Sequence, residues 1–143
     1  MKIDFIYERA VNYYETDKMG IVHHSNYIKY LEEARCKWID ALNIPIQYLE
    51  KQGFMIPVLE VNCEYKTAVT VGDVITIRPI ITQYNGVRFT ISYEVLNAKT
   101  KQTIIKAFTK HCFTNDKLYP INMKKYDKHV DEIFLDNLVS DFI

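Results

Sequence analysis

The sequence predicts an α+β fold in which an antiparallel sheet of about five strands wraps around one long helix. Two observations carry this. Between residues 25 and 42 the apolar positions step by three and four, the period of an amphipathic helix with a broad buried stripe. From Pro57 to Thr114 the pattern changes to period two, the mark of half-buried strands. A helix carrying so many large residues cannot stay solvated, so the sheet must curl over it.

Taken in order, residues 3–13, "IDFIYERAVNY", suit a first strand with imperfect alternation. The helix spans about Ser25 to Leu42, with Tyr27, Tyr30, Leu31, Ala34, Trp38, Ala41 and Leu42 on its stripe. Ser25 or Asn26 is expected to cap its start, and Asn43 followed by Ile44-Pro45 ends it. Strands follow at about Pro57–Val69 and Val74–Tyr84, separated by Gly72-Asp73. In the next, Val87, Phe89, Ile91, Tyr93 and Val95 alternate with Arg88, Thr90, Ser92 and Glu94. Asn85-Gly86 between them predicts a type I′ hairpin turn, which needs positive φ at both central residues. Pro79 calls for a sheet edge or a bulge, because it has no N–H to give. A turn near Asn97–Lys101 leads into Thr103–Phe113, and these strands read as consecutive neighbours. From Asn122, Tyr126, Val130, Ile133, Phe134 and Leu138 recur at helical spacing, predicting a short C-terminal helix.

Nothing in the 143 residues reads as a linker or repeat, so one domain over 1–143 is expected. Lysines plus arginines equal acids at 18 each, so no bulk field draws in nucleic acid. No apolar run approaches the roughly 20 residues of a membrane span, and "MKIDFIYERA" lacks a signal peptide's apolar core. Cys36, Cys63 and Cys112 show no C-x-x-C spacing and read as reduced, small apolar groups in a cytoplasmic protein. A small sheet on one helix leaves long edges, which predicts a homo-oligomer.

The reactive side chains concentrate in "ETDKMGIVHHSNY", immediately ahead of the helix. The free N–H groups and positive dipole end of that helix would point back at the loop carrying Asp17. Such a terminus can hold the oxyanion of an acyl-transfer intermediate, with Asp17 activating water or attacking directly. Gly20 would let a substrate approach closely. A thioester suits so sparse a site: its leaving thiol has a pKa of only about 8.5, so little acid assistance is needed. A metal at His23 and His24 is not expected, since adjacent side chains diverge and no third ligand has suitable spacing.

"NYYETDKMGIVHHSNYIKYLEEAR" resembles the signature of the hot-dog fold acyl-CoA thioesterases of the 4-hydroxybenzoyl-CoA thioesterase type. Thr16, Asp17, Gly20, Val22, His24 and Tyr27 match the pattern, Glu15 stands where many relatives carry an acid, and "CEYKTAVTVGDVITI" resembles the following strand and turn. The resemblance implies that Asp17 is the catalytic base or nucleophile and that the His24 backbone N–H polarises the thioester carbonyl. Gly20, Val22 and Tyr27 would line the substrate site. It further implies dimers or tetramers with sites at the subunit interface, no metal or organic cofactor, and an acyl-CoA or acyl carrier protein thioester as substrate. Lys66, Arg88 and Lys110 are candidates for the coenzyme A phosphates. His23 falls where relatives often hold an aromatic, which gives it no catalytic role. Two other functions stay open: a hydratase or dehydratase of the same fold, needing an aspartate–histidine pair for proton transfer at carbon, and a non-catalytic acyl-CoA binding module, which has no use for Asp17.

Overall fold

The structure, a computed structural model, describes residues 1–139. The long helix α1 runs over Ser25–Ala41 and turns Tyr27, Tyr30, Leu31, Ala34 and Trp38 into the core. Ile39 is buried beside them while Ala41 faces solvent, because the stripe drifts around the helix as it lengthens. Asn43, in the left-handed region at φ 64°, ends the helix as expected. Its start differs from expectation. His24 is the boundary residue in helical conformation, and no side chain caps it. A second short helix, α2 at Ile46–Lys51, follows Pro45; six residues show too little periodicity to stand out in sequence.

Among the described residues one sheet has five strands: β1 (Tyr7–Ala10), β2 (Val58–Tyr65), β3 (Val74–Tyr84), β4 (Arg88–Asn97) and β5 (Thr103–Cys112). All pairings are antiparallel, in the order β1-β3-β4-β5-β2. β2 therefore does not neighbour β3, as consecutive strands would; it crosses to the far edge and pairs with β5. Only β3–β4 and β4–β5 are hairpins, because only there is the connection short enough. The first strand is also shorter than predicted. Residues 13–15 form a 3₁₀ turn, and the Ile3 N–H goes to the Asn137 side chain instead of a strand.

Pro79 lies in β3 between two neighbours, but β1 pairs only as far as Ile77, so the proline sits past that ladder's end. The register of β3 slips just beyond it, between Ile81 and Gln83. The β3–β4 turn is a hairpin of a different type from the one expected. Its central residues are Gly86 and Val87, and only Gly86 has positive φ (94°), the type II′ pattern. Asn85 contributes its side chain, accepting from the N–H groups of Val87 and Arg88 at 3.0 and 2.7 Å.

The inner sheet face packs on α1 through Ile75, Ile77, Ile81, Ile91, Val95 and Ile105. The C-terminal segment forms two short helices, α3 (Met123–Tyr126) and α4 (Lys128–Asp136), broken at Asp127, whose carboxylate caps α4. Val130, Ile133 and Phe134 face inward, whereas Tyr126 is exposed and Leu138 lies past the helix. Phe134 closes one end of the core against Trp38, Tyr84, Phe89 and Phe113, with ring centroids 4.9–6.2 Å apart. Cys36, Cys63 and Cys112 are free; Cys112 is buried and the other two are half-buried.

Candidate active site

The loop ahead of α1 is a small, tightly bonded hairpin. Thr16 bridges Val22, the Asp17 N–H donates to the Ile21 carbonyl at 2.8 Å, and the His23 N–H donates to the Glu15 carbonyl at 2.9 Å. At its tip the Gly20 N–H returns to the Asp17 carbonyl at 2.9 Å, with Gly20 at φ 79°. A residue with a Cβ is strained there, so the glycine serves the turn. The hairpin is fastened to the segment after β2 by the Ile21–Thr70 bridge and by Val22 N–H to Val69 O at 2.9 Å.

This scaffold positions two groups, the Asp17 carboxylate and the backbone N–H at the start of α1. One Asp17 oxygen, Oδ1, accepts the Met19 N–H at 2.8 Å in an Asx turn; Oδ2 has no partner among the described residues. At the helix start, Asn26 spends its side chain on the Glu15 carbonyl (2.8 Å) instead of capping the helix. Ser25 is occupied with His23, its hydroxyl 2.8 Å from Nδ1. The Asn26 N–H donates to the His23 carbonyl at 2.9 Å. No hydrogen bond among the described residues uses the His24 N–H. It is an open donor where the helix dipole is positive.

A cavity of about 270 Å³ lies at this loop, its wall including Asp17, Met19, Val22, His24, Tyr27, Tyr65 and Lys66. Asp17, Val22, His24, Tyr27 and Lys66 are thus brought together. Gly20 shapes the loop without lining the cavity. Arg88 and Lys110 lie elsewhere in the chain, in a groove of about 880 Å³ on the outer sheet face. Lys110 pairs with Glu60, five residues along β2 from Tyr65, or about 17 Å at ~3.4 Å per residue. Lys66 lies 3.0 Å from Glu64, and Lys110 3.7 Å from Glu60.

Tyr27 is buried beneath the cavity, and its phenol is pushed up to about 12 by burial, with Cys63 and Tyr65 adding. It is neutral at physiological pH and cannot serve as a base there. The His23 and His24 rings stack at 4.2 Å, and neither histidine hydrogen-bonds to Asp17. Among the described residues no group of three His, Cys, Asp or Glu side chains is placed to hold a metal. Sequence reasoning does not single out Met19, Ile21, Tyr65, Thr67 or Ala68 as lining residues, and of these Tyr65 sets its ring against His24 and Tyr27. A tyrosine ending a strand carries no local signal, and only the crossing of β2 to the far sheet edge brings it to the loop.

Residues 11–124 match the model of the thioesterase-like superfamily. The chain belongs to this superfamily. Its relatives include a protein of Aquifex aeolicus provisionally named an esterase, 39% identical over 112 residues, which cover 78% of this chain and 86% of that protein. A Bacillus subtilis protein provisionally named acyl-CoA thioesterase YneP is 34% identical over 119 residues, covering 82% and 86%. Among solved structures, a DHNA-CoA thioesterase from Staphylococcus aureus superposes with a TM-score of 0.85 at 28% identity, over 92% of this chain and 89% of that one. The sheet wrapped on a helix is the hot-dog fold, and the chain is a thioester hydrolase.

Proposed function

We propose that this thioesterase hydrolyses acyl-CoA to the free acid and coenzyme A by the carboxylate chemistry of the 4-hydroxybenzoyl-CoA thioesterase type. The observation that carries the reading is that Asp17 and His24 line one cavity, the first with Oδ2 and the second with its N–H unpartnered among the described residues. In the general-base route, Asp17 takes a proton from water as the water oxygen bonds to the thioester carbon. The carbonyl oxygen becomes an oxyanion against the His24 N–H and the positive helix end. Collapse breaks the C–S bond and releases the thiolate, which needs little acid help. In the nucleophilic route the same oxygen attacks the carbonyl, expels the thiolate, and the resulting anhydride is hydrolysed.

A hydratase is disfavoured because no histidine bonds Asp17. A pure binding module leaves the free carboxylate oxygen without purpose. The test is thiol release from a panel of short, branched, aromatic and long acyl-CoAs, with an acyl carrier protein thioester alongside. At least one of these thioesters should release thiol with turnover. Folded protein that binds these thioesters but releases no thiol from any of them would overturn the proposal.

The functional unit in this reading is a homo-oligomer in the cytoplasm, where three free thiols stay reduced. β2 is paired on one side only, and Val58, Leu59, Val61 and Tyr65 are exposed along it. A second copy paired antiparallel about the middle of this edge would bring the Lys110 end of one protomer beside the Tyr65 end of the other. Lys66, Lys110 and Arg88 would then share one coenzyme A. Light scattering should give a dimer or larger; a monomer at micromolar concentration would sink this arrangement.

A further inference from the structure

Arg9 on β1 stands at a junction of three elements. Its Nη1 lies 2.5 Å from Glu15 Oε1 on the 3₁₀ turn, and its Nε lies 2.9 Å from Glu33 Oε1 on α1. The guanidinium sits 4.0 Å over the Tyr30 ring, and the Tyr7 hydroxyl donates to the same Glu33 oxygen at 2.9 Å. Glu15 is only 6% exposed and also accepts the Asn12 N–H at 2.9 Å. Burial opposes the charge on both Arg9 and Glu15. The pair nonetheless holds the carboxyl below its ordinary range and the guanidinium above its own, because each hydrogen-bonds the other. Both stay ionised at any working pH.

A buried ion pair is a poor source of stability, because desolvation consumes most of the Coulomb gain and an apolar pair of similar volume often serves as well. Its better-attested use is to fix a register, and here there is a register to fix. The Glu15 carbonyl receives the His23 N–H and the Asn26 side chain, so this one residue closes the loop and joins it to the first turn of α1. Asp17 follows two residues later in the chain and His24 directly follows His23. A shift of Glu15 therefore moves the carboxylate relative to the open N–H.

We propose that Arg9 is a positioning residue: by anchoring Glu15 between β1 and α1, it sets Asp17 in line with the oxyanion donor. This rests on Asp17 acting as proposed above. Arg9 does so with a rigid fork that serves two carboxylates at once, which a lysine ammonium does not reproduce.

The experiment is steady-state thiol release from the best acyl-CoA by Arg9→Gln, alone and combined with Asp17→Asn, with melting temperatures recorded. Misplacing a catalytic group by about 1 Å costs up to ~10²-fold. Arg9→Gln should therefore lower kcat by about 10- to 100-fold while KM moves by less than about threefold, since Arg9 itself does not line the cavity. In the Asp17→Asn background it should cost no more than about twofold, because the group it positions is already disabled. Arg9→Lys should recover only part of the loss. Where Arg9→Gln does not fold, Glu15→Gln, which keeps the backbone carbonyl and an acceptor for Asn12, carries the same expectation. Wild-type kcat in Arg9→Gln beside an inactive Asp17→Asn would overturn the proposal alone, as would an equal loss in both backgrounds. Wild-type turnover in Asp17→Asn itself would instead remove the reading beneath it.

Discussion

The Tyr65 hydroxyl donates to the His24 carbonyl at 3.3 Å, joining the end of the edge strand β2 to the first turn of α1. The Tyr65 ring also meets the His24 ring edge-on at 6.3 Å and the Tyr27 ring at 5.5 Å. Removing the hydroxyl and removing the ring should therefore have different consequences. Tyr65→Phe loses one long, exposed hydrogen bond, about 0.5 kcal/mol, so kcat should change by no more than about threefold. Tyr65→Ala opens the cavity wall and should raise KM for the preferred acyl-CoA about tenfold or more. Equal behaviour of the two variants in steady-state kinetics would deny the ring any part in holding substrate.

Asp17→Asn isolates chemistry from structure. Asparagine keeps an oxygen for the Met19 N–H, so the turn and the melting temperature should be preserved. Turnover should fall about 10²–10⁴-fold, the usual span for general-base catalysis, with little change in substrate affinity. Single-turnover hydrolysis by the wild-type protein in heavy-oxygen water separates base from nucleophile. Label entering the Asp17 carboxylate requires an acyl-aspartate; its absence favours activated water, since an anhydride opened at the acyl carbon would also leave Asp17 unlabelled.

His24→Ala keeps the backbone N–H, a donor with no partner among the described residues. Its loss in kcat should stay well under the roughly 10²–10³-fold that follows deletion of an oxyanion donor. A larger loss at unchanged melting temperature would assign the imidazole a chemical role of its own.

Gly86→Ala should destabilise the fold without touching the site. Gly86 has φ 94°, and a Cβ there would strike the Asn122 side chain, whose neighbour Met123 donates its N–H to the Gly86 carbonyl at 2.8 Å. Strain and overpacking together should cost about 1–3 kcal/mol in urea denaturation. Stability equal to wild type would mean that α3 shifts freely off the turn.

His111 should make the protein acid-labile. It is fully buried, its Nε2 lies 2.7 Å from Thr109 Oγ1, and its Nδ1 has no partner among the described residues. Burial, and then the Arg35 guanidinium, push its pKa from 6.5 down to about 3. The folded state keeps the ring neutral while the unfolded chain takes up a proton, so the His111 contribution is complete above pH 6.5 and is lost as pH falls toward 3. Its slope in that window is at most about 1.4 kcal/mol per pH unit. Denaturation of His111→Asn between pH 7 and 4 should show this component missing; an unchanged slope would place the acid sensitivity elsewhere.

The sequence by itself carried the long helix, the two hairpins and the loop that holds Asp17. These depend on local periods and on turn residues, and on a signature whose parts lie within thirteen consecutive positions, Glu15 to Tyr27. Val74–Tyr84 was legible to the residue, because Gly72-Asp73 and Asn85-Gly86 bracket it and the hairpin turn makes it the partner of the alternating strand that follows. The missing cap at Ser25 was not legible. Ser25 and Asn26 are both good capping residues, and only the return of the loop, which offers them His23 and the Glu15 carbonyl, draws their side chains away.

What the tertiary structure alone decided is which distant residues meet. Sequence spacing says nothing about a strand's place in the sheet, and β2 takes the far edge because its crossover connection, not a tight turn, sets its neighbour. That placement puts Tyr65 against His24 and separates Arg88 and Lys110 from the Asp17 cavity within one chain. Arg9 and Glu33, twenty-four positions apart, converge on the loop only because β1 and α1 pack side by side. Local propensity acts through neighbours in the chain, whereas burial and hydrogen bonding act through neighbours in space, and this site is built from both.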